Sequence, residues 1–232
     1  MENKEINRMK ILAGLNESTI KKLDKDLSMI EIINKFDYLK KAFKYIVLNN
    51  KSNIAPYHNF NHLLTVTSYC YRNAIRENLD KKEMKNLLLA AIFHDFNHSM
   101  GKKKDDENIK VVKKEIRKFI DSEKIEDVDL NEVDKILDAT QYPYVLDNKD
   151  LNLSQKIIRD SDLMQIFEYN WIHQNVFGLS SELKIDVVDF LSSQRKFLEN
   201  CEFQTDFCKK IKKERWKQVM KEFDMLEKIC KG

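Results

Sequence analysis

The sequence contains very few residues that break helices. It has only 4 Gly and 2 Pro among 232 residues, whereas these two types together make up about 12% of an average protein. An all-β sandwich or barrel needs a turn with Gly or Pro every ~8–12 residues, so that class of fold is excluded. We therefore expect an all-α protein, long enough to bury a substantial hydrophobic core.

The sequence also lacks a strong charge imbalance, a long apolar run and a pattern of paired cysteines. Lys and Arg number 41 against 38 Asp and Glu, a net charge of +3, which gives no clear indication of a nucleic-acid surface. No run of ~18 apolar residues predicts a membrane span, and residues 1–10 lack the apolar stretch of a secretory signal. The four cysteines are widely spaced, so we expect reduced thiols in a cytoplasmic protein.

No linker or internal repeat divides the chain. We expect a single compact helical domain over residues 54–232, with an N-terminal helical extension over residues 1–53 packed on it. Apolar residues recur at spacings of three and four, which is the pattern of amphipathic helices, and Asp80 followed by Glu83 is typical of a capping box. The predicted helices of the domain begin at about residue 59 and then cover about residues 81–97, 105–120, 133–137, 152–171, 182–199 and 205–229.

A few polar residues fall where the helical pattern places apolar ones. His94 and Asp95 lie on the inward stripe of the 81–97 helix, Asp162 lies between two isoleucines of a stripe, and His62 lies one turn before an apolar valine. Because an isolated buried carboxylate costs several kcal/mol, these side chains need partners. Imidazole and carboxylate together suit Zn, Mn, Fe or Mg. Taken singly, each residue is also explained as a hydrogen-bonded core histidine, a helix cap or half of an ion pair.

The spacing of the histidines favours the metal site. Four of the five histidines occur in two short segments: residues 57–62 read Tyr-His-Asn-Phe-Asn-His, and residues 94–98 read His-Asp-Phe-Asn-His, followed by Gly101. Further on, residues 159–163 read Arg-Asp-Ser-Asp-Leu. In this order, the three segments resemble the HD-domain metal-dependent phosphohydrolases, in particular the branch that includes the cyclic-nucleotide phosphodiesterases. The resemblance extends over about residues 54–200.

The resemblance implies a fold, a cofactor and a set of ligands. The implied fold is a single all-α HD domain. The resemblance further implies that His62, His94, Asp95 and Asp162 bind a first divalent metal ion, and that Asp95 bridges to a second ion held mainly by water. The identity of the metal is left open among Mn, Fe, Zn, Mg and Co.

The same resemblance implies an activity. It implies hydrolysis of a nucleotide phosphodiester, above all a 3′,5′-cyclic nucleotide, by hydroxide formed at the metal, with Asp95 between the two ions. His58 matches the family's general acid, which protonates the leaving oxygen, and His98 matches a catalytic histidine beside the bridging water. This chemistry is reasonable because two cations neutralise the phosphodiester and provide hydroxide near neutral pH, and imidazole is an effective acid at that pH.

Four residues are predicted to contact the substrate. Gln194 and Phe197 resemble the phosphodiesterase segment in which a Gln bonds the base and a Phe stacks on it, and Gln194 is equally explained as a core-edge residue that bonds backbone. Gln165 lies one turn after the ligand Asp162. Asn108 resembles a polar residue of small bacterial members of the family, and a helix cap explains it too.

Two other functions compete with phosphodiester hydrolysis. One keeps the site and changes the substrate to a 5′-nucleotide or another phosphomonoester. The other is a catalytically silent metal-binding module, which the presence of His58 beside the ligands disfavours. Five histidines are too few for the diiron oxygenases of this fold class, and the Glu-Asp pair of the (p)ppGpp hydrolases is missing after His94-Asp95. The expected partner is a small nucleotide, and the oligomeric state is left open.

Overall fold

The computed structural model describes residues 27–231. This part of the chain folds into ten α-helices and contains no β-strand, which confirms the predicted all-α class. None of the described helices combines the length and the apolar character needed to cross a bilayer. Residues 1–26, half of the predicted N-terminal extension, lie outside the described residues, and its division from the domain stays a prediction.

The helices follow one another with short connections. Two 3₁₀ turns, Asn148–Asp150 and Leu163–Phe167, and a π-helical segment, Ile172–Gly178, complete the described part. In chain order, the α-helices are α1 Met29–Lys35, α2 Asp37–Asn49, α3 Phe60–Arg76, α4 Lys81–Phe93, α5 Asp105–Glu123, α6 Leu130–Asp138, α7 Leu153–Asp162, α8 Leu179–Leu183, α9 Val187–Asn200 and α10 Asp206–Lys231.

Side-chain caps fix the start of three central helices. The Asn59 side chain accepts a hydrogen bond from the His62 N–H at the beginning of α3. Asp80 and Glu83 form the predicted capping box of α4, and Asn152 caps α7 in the same way. Each such cap stabilises its helix by about 1 kcal/mol, and together they fix where the chain enters the three helices that carry the candidate metal ligands.

The core has two parts, with α3 between them. The larger cluster draws its apolar side chains from α1 to α7. The smaller one lies under residues 163–176, α9 and α10, where Trp171 stacks on Phe223 with ring centroids 5.9 Å apart. Helix α3 packs against α1, α4, α7 and α10, and its side chains are buried from Leu63 to Ala74 with only two interruptions. Because burying one large apolar side chain is worth about 1.5–3 kcal/mol, this packing holds the ligand-bearing helices together.

The three largest differences between the predicted and the observed helix boundaries all lie near the site. Helix α4 ends at Phe93 rather than 97: the chain continues as a turn, in which the Phe96 N–H donates to the Phe93 carbonyl oxygen at 2.8 Å and Asn97 takes a left-handed conformation with φ 57°. Helix α7 ends at Asp162, where the chain tightens into a 3₁₀ turn. Helix α9 begins at Val187 rather than 182, because Lys184 has φ 55° and ends the short α8 before it.

Candidate metal centre and its cavity

The ends of three helices bring the four predicted ligands together. His62 lies in the first turn of α3, His94 and Asp95 follow the last residue of α4, and Asp162 is the last residue of α7. Their nitrogen and oxygen atoms all lie within 4.8 Å of one another, as a group that could hold a metal ion. Residues 100 positions apart in the sequence thus converge on one point.

The spacing of the ligand atoms fits a single cation. His62 Nε2 lies 3.0 Å from Asp162 Oδ1, 3.3 Å from Asp95 Oδ2 and 3.3 Å from His94 Nε2. His94 Nε2 lies 2.9 Å from Asp95 Oδ2 and 3.5 Å from Asp162 Oδ1. Metal–ligand bonds of about 2.0–2.2 Å put neighbouring ligand atoms about 3.0–3.5 Å apart in octahedral or tetrahedral shells. The four atoms therefore have the separation that a small divalent ion requires.

The second nitrogen of each imidazole completes the description of the ligands. His94 Nδ1 lies 2.8 Å from the carbonyl oxygen of Ala91, so Nδ1 carries a proton and Nε2 is the atom that faces the cluster. His62 is fully buried, and its Nδ1 has no hydrogen-bond partner among the described residues. The His94 ring is thus oriented by a hydrogen bond to the backbone of α4, whereas the His62 ring is held by packing alone.

The protonation of the cluster follows from its mixed charges. Burial lowers the pKa of His62 and of His94, but their contacts with the two carboxylates outweigh burial and raise both values above the usual range. Burial raises the pKa of Asp95 and of Asp162, and the imidazoles outweigh it, so both carboxyl pKa values lie well below normal. Both carboxylates are therefore ionised at neutral pH, as metal ligands must be.

A network of amides holds the turn that follows Asp95. The Asn97 N–H donates to Asn50 Oδ1 at 2.8 Å, and Asn97 Oδ1 accepts from the Lys51 N–H at 2.7 Å. The Ser52 hydroxyl donates to Asn50 Oδ1 at 2.8 Å and lies 3.3 Å from the Asp95 carbonyl oxygen. These bonds tie the connector after α2 to the end of α4 and so fix the backbone on which two ligands sit.

His58 lies beside the cluster with a carboxylate partner that sequence reasoning missed. Its Nδ1 is 2.6 Å from Glu182 Oε2, and Glu182 Oε1 accepts hydrogen bonds from the N–H groups of Tyr57 and His58 at 2.6 and 2.9 Å. Burial raises the pKa of Glu182, but these bonds outweigh it and lower the value, so the carboxylate is ionised. The two residues are 124 positions apart, and no spacing signal links them.

The close approach of Glu182 to His58 depends on Gly178. A Cβ atom at Gly178 would lie 2.6 Å from the carbonyl oxygen of Pro56, which is closer than real Cβ contacts allow. The absence of a side chain therefore lets the π-helical segment and α8 lie directly against the chain that carries His58.

His98 packs closely against His58, with the two rings tilted by 37°. The two ring centroids are 3.7 Å apart, and His98 Nδ1 accepts a hydrogen bond from the Met100 N–H at 3.2 Å. Burial and the charge on His58 lower the pKa of His98 to about 4, so its ring is neutral at pH 7 with the proton on Nε2. His58, Asp95 and His98 also form a second group of ligand atoms that could hold an ion.

A cavity of about 810 Å³ opens beside the metal centre. It is lined by His58, His94, Asp95, His98 and Asp162, and by three of the four predicted substrate residues, Asn108, Gln194 and Phe197. The structure does not bring Gln165 to this cavity. That residue is 1% exposed, and its amide nitrogen donates to Asn170 Oδ1 at 3.2 Å. The Asn108 amide holds the turn after His98, because its oxygen accepts from the Ser99 N–H at 3.2 Å.

Comparison of the chain with models of known protein families finds no match, and comparison with curated proteins finds none either. Fold and site together define the protein as an all-α protein with a largely buried His₂Asp₂ group that could bind a metal ion. Such a centre is compatible with a metal-dependent hydrolase.

Proposed function

We propose that the protein is a metal-dependent phosphohydrolase of the HD type that cleaves a nucleotide phosphodiester, such as a 3′,5′-cyclic nucleotide. The observation that carries this proposal is the convergence of four candidate ligand atoms, three of them from residues that line the cavity, with His58 beside them. A bound divalent ion supplies positive charge to the phosphate oxygens and makes hydroxide available near neutral pH. The motif resemblance supports the choice of phosphoester chemistry.

The ligands suit a divalent cation in charge as well as in spacing. Two carboxylates and two neutral imidazoles carry two negative charges, which balance the charge of the ion. Asp95 and Asp162 also face the cavity, with side chains 15% and 24% exposed, whereas both imidazoles are 1% exposed. The open side of the centre is therefore the side that a substrate can reach.

His58 is the proposed general acid. The ribose oxygen of a phosphodiester is a poor leaving group unless it is protonated, and a positioned acid contributes about 10²–10⁴-fold to the rate. Because Glu182 accepts the Nδ1 proton of His58, the proton on Nε2 is the one available for transfer. Glu182 is a positioning residue in this scheme, since its hydrogen bond to Nδ1 fixes the orientation of the ring. His98, neutral and packed against the ring, restricts the position of His58 from the other side.

The test is a combined assay of metal content and hydrolysis. Purified protein should contain Mn, Fe, Zn, Mg or Co and should hydrolyse bis(p-nitrophenyl) phosphate faster than p-nitrophenyl phosphate, because the proposed substrate is a diester. Asp95→Ala should abolish both metal binding and turnover. Asp106→Ala is the matched control, since Asp106 also lines the cavity but bonds Lys110 at 2.7 Å and belongs to neither ligand group. Metal-loaded protein without turnover of any phosphoester would refute the proposal.

A further inference from the structure

The cavity at the candidate metal centre extends to a border, on the side of α10, that is formed by residues outside that centre. Cys201, Phe203, Lys212 and Trp216 line it, and the same four residues also line a shallower hollow on the outside of α10. No candidate metal ligand lines that outer hollow. At about 810 Å³ the cavity is near the upper end of the ~300–1,000 Å³ range of ligand pockets. Its volume thus suits a ligand larger than a mononucleotide.

Lys212 brings an unneutralised positive charge to this border. Its ammonium group donates to the Cys201 carbonyl oxygen at 2.7 Å, and within residues 27–231 it forms no ion pair with a carboxylate. Two of its three N–H donors are left for another acceptor. Lys103 and Lys104 also line the cavity, but both are exposed on the loop after the metal segment. Lys212 is the half-buried lysine of the cavity.

Aromatic rings surround the Lys212 ammonium. It lies 4.7 Å from the ring centroid of Trp216 and 5.8 Å from that of Phe203. Along the cavity wall, the Phe197 ring meets Tyr142 edge to face with centroids 5.9 Å apart. Flat rings next to a fixed cation are the features that bind a planar base and its phosphate.

We infer that Lys212, Trp216 and Phe203 form a second phosphate-and-base subsite, and that the substrate is a dinucleotide with two phosphate groups. The inference rests on the proposed function for the assignment of the ligand as a substrate. One phosphate lies at the metal centre, where its ester is cleaved. The other phosphate accepts hydrogen bonds from Lys212, and its base stacks on the rings at that border.

The experiment compares two ligands with the same base. Binding of cyclic di-AMP, with two phosphates, and of 3′,5′-cyclic AMP, with one, is followed by stopped-flow tryptophan fluorescence before hydrolysis occurs. Wild-type protein should bind the dinucleotide at least about tenfold more tightly. Lys212→Met should weaken dinucleotide binding by about tenfold to a hundredfold, the range for one charge-assisted hydrogen bond, and should leave cyclic AMP binding unchanged.

Two control variants separate the local role of Lys212 from general effects. Lys212→Arg keeps the charge and should retain most of the preference. Lys213→Met removes the neighbouring charge, which lines the outer hollow but not the cavity, and should behave as wild type. Equal binding of the two ligands by wild type, or equal losses in Lys212→Met and Lys213→Met, would overturn the inference.

The measurements distinguish failure of the proposed subsite from failure of the proposed function. If cyclic AMP and bis(p-nitrophenyl) phosphate are hydrolysed and Lys212→Met changes no affinity, the subsite is refuted and the phosphohydrolase stands. If the Lys212-dependent preference is found and no phosphoester is hydrolysed, the dinucleotide site stands as a binding site and the proposed function fails.

Discussion

Replacement of Gly178 by Ala tests how the chain is held around His58. Gly178 has helical angles, φ −65° and ψ −54°, so any residue can adopt its backbone conformation. The added methyl group, however, would lie 2.6 Å from the Pro56 carbonyl oxygen and 3.1 Å from its carbon. Both atoms belong to the backbone, so no side chain can rotate away to make room.

The magnitude follows from two opposing effects. In a helix without close contacts, Gly to Ala stabilises by roughly 0.5–1 kcal/mol. Overpacking a closely packed position costs about 1–3 kcal/mol, and a contact as short as this one belongs at the upper end. We expect Gly178→Ala to lower the free energy of unfolding by about 1–2 kcal/mol, which is a fall in Tm of roughly 2–8 °C for a protein of this size.

Urea denaturation followed by circular dichroism measures the effect, and Gly101 provides the control. Gly101 has φ +74°, but its added Cβ would meet nothing closer than 3.9 Å. A substitution at Gly101 is therefore costly only because of the left-handed backbone conformation. Asn adopts that conformation more readily than Ala, so Gly101→Asn should be tolerated better than Gly101→Ala. At Gly178, Asn should be no better than Ala, because the clash is steric. Gly178→Ala protein as stable as wild type would refute the reasoning.

Three further substitutions test the site and its support. Asp162→Asn should weaken metal binding by more than the roughly 10–100-fold typical of an outer-shell residue, as measured by metal titration; unchanged affinity would remove this residue from the ligand set. Glu182→Gln should keep the metal content and slow hydrolysis, more for diesters with poor leaving groups, because it frees the ring of His58; equal loss for good and poor leaving groups would contradict the positioning role. Arg159→Met should destabilise the protein by about 2–4 kcal/mol in urea denaturation, because this buried guanidinium donates to three oxygens of residues 139–148 at 2.9–3.0 Å. Arg195→Met, which breaks two partly exposed ion pairs, with Asp224 and Glu227, should cost only about 1 kcal/mol. Equal effects of the two arginine variants would count against this explanation.

The fold class and the grouping of the ligands were predictable from the sequence for physical reasons. With so few Gly and Pro to form turns, only helices satisfy the backbone hydrogen-bonding groups over long stretches of this sequence. The start of α4 is recognisable because Asp80 and Glu83, three residues apart, form its capping box. The candidate ligands His62, Asp95 and Asp162 are recognisable because polar side chains on apolar stripes need partners. Such signals are local, within one or two helical turns.

The remainder of the site depends on contacts that local patterns do not encode. The left-handed turn at Asn97 interrupts the helix predicted over 81–97. Its hydrogen-bond partners are residues 50 and 51, which are distant in the sequence. Glu182 became a partner of His58 only through the packing of α8 against a distant connector. No sequence pattern singles out Lys212 or Trp216, and only the position of α10 next to the cavity brings them to it.

The pairing within the metal centre implies that a cation and protons compete for it. The carboxylates raise the pKa of His62 and His94, so protonated imidazoles and ionised carboxylates can hold the cluster together in metal-stripped protein. A cation needs the lone pair of each Nε2 and must therefore displace those protons. Its affinity then rises with pH, while the stabilising pairs of the stripped protein are complete below the normal histidine pKa and are lost as pH rises through the raised values. Above neutral pH the metal-free protein would lose stability while its affinity for an ion would rise. An ion bound here would therefore take the place of the protons that otherwise hold the ends of α3, α4 and α7 together.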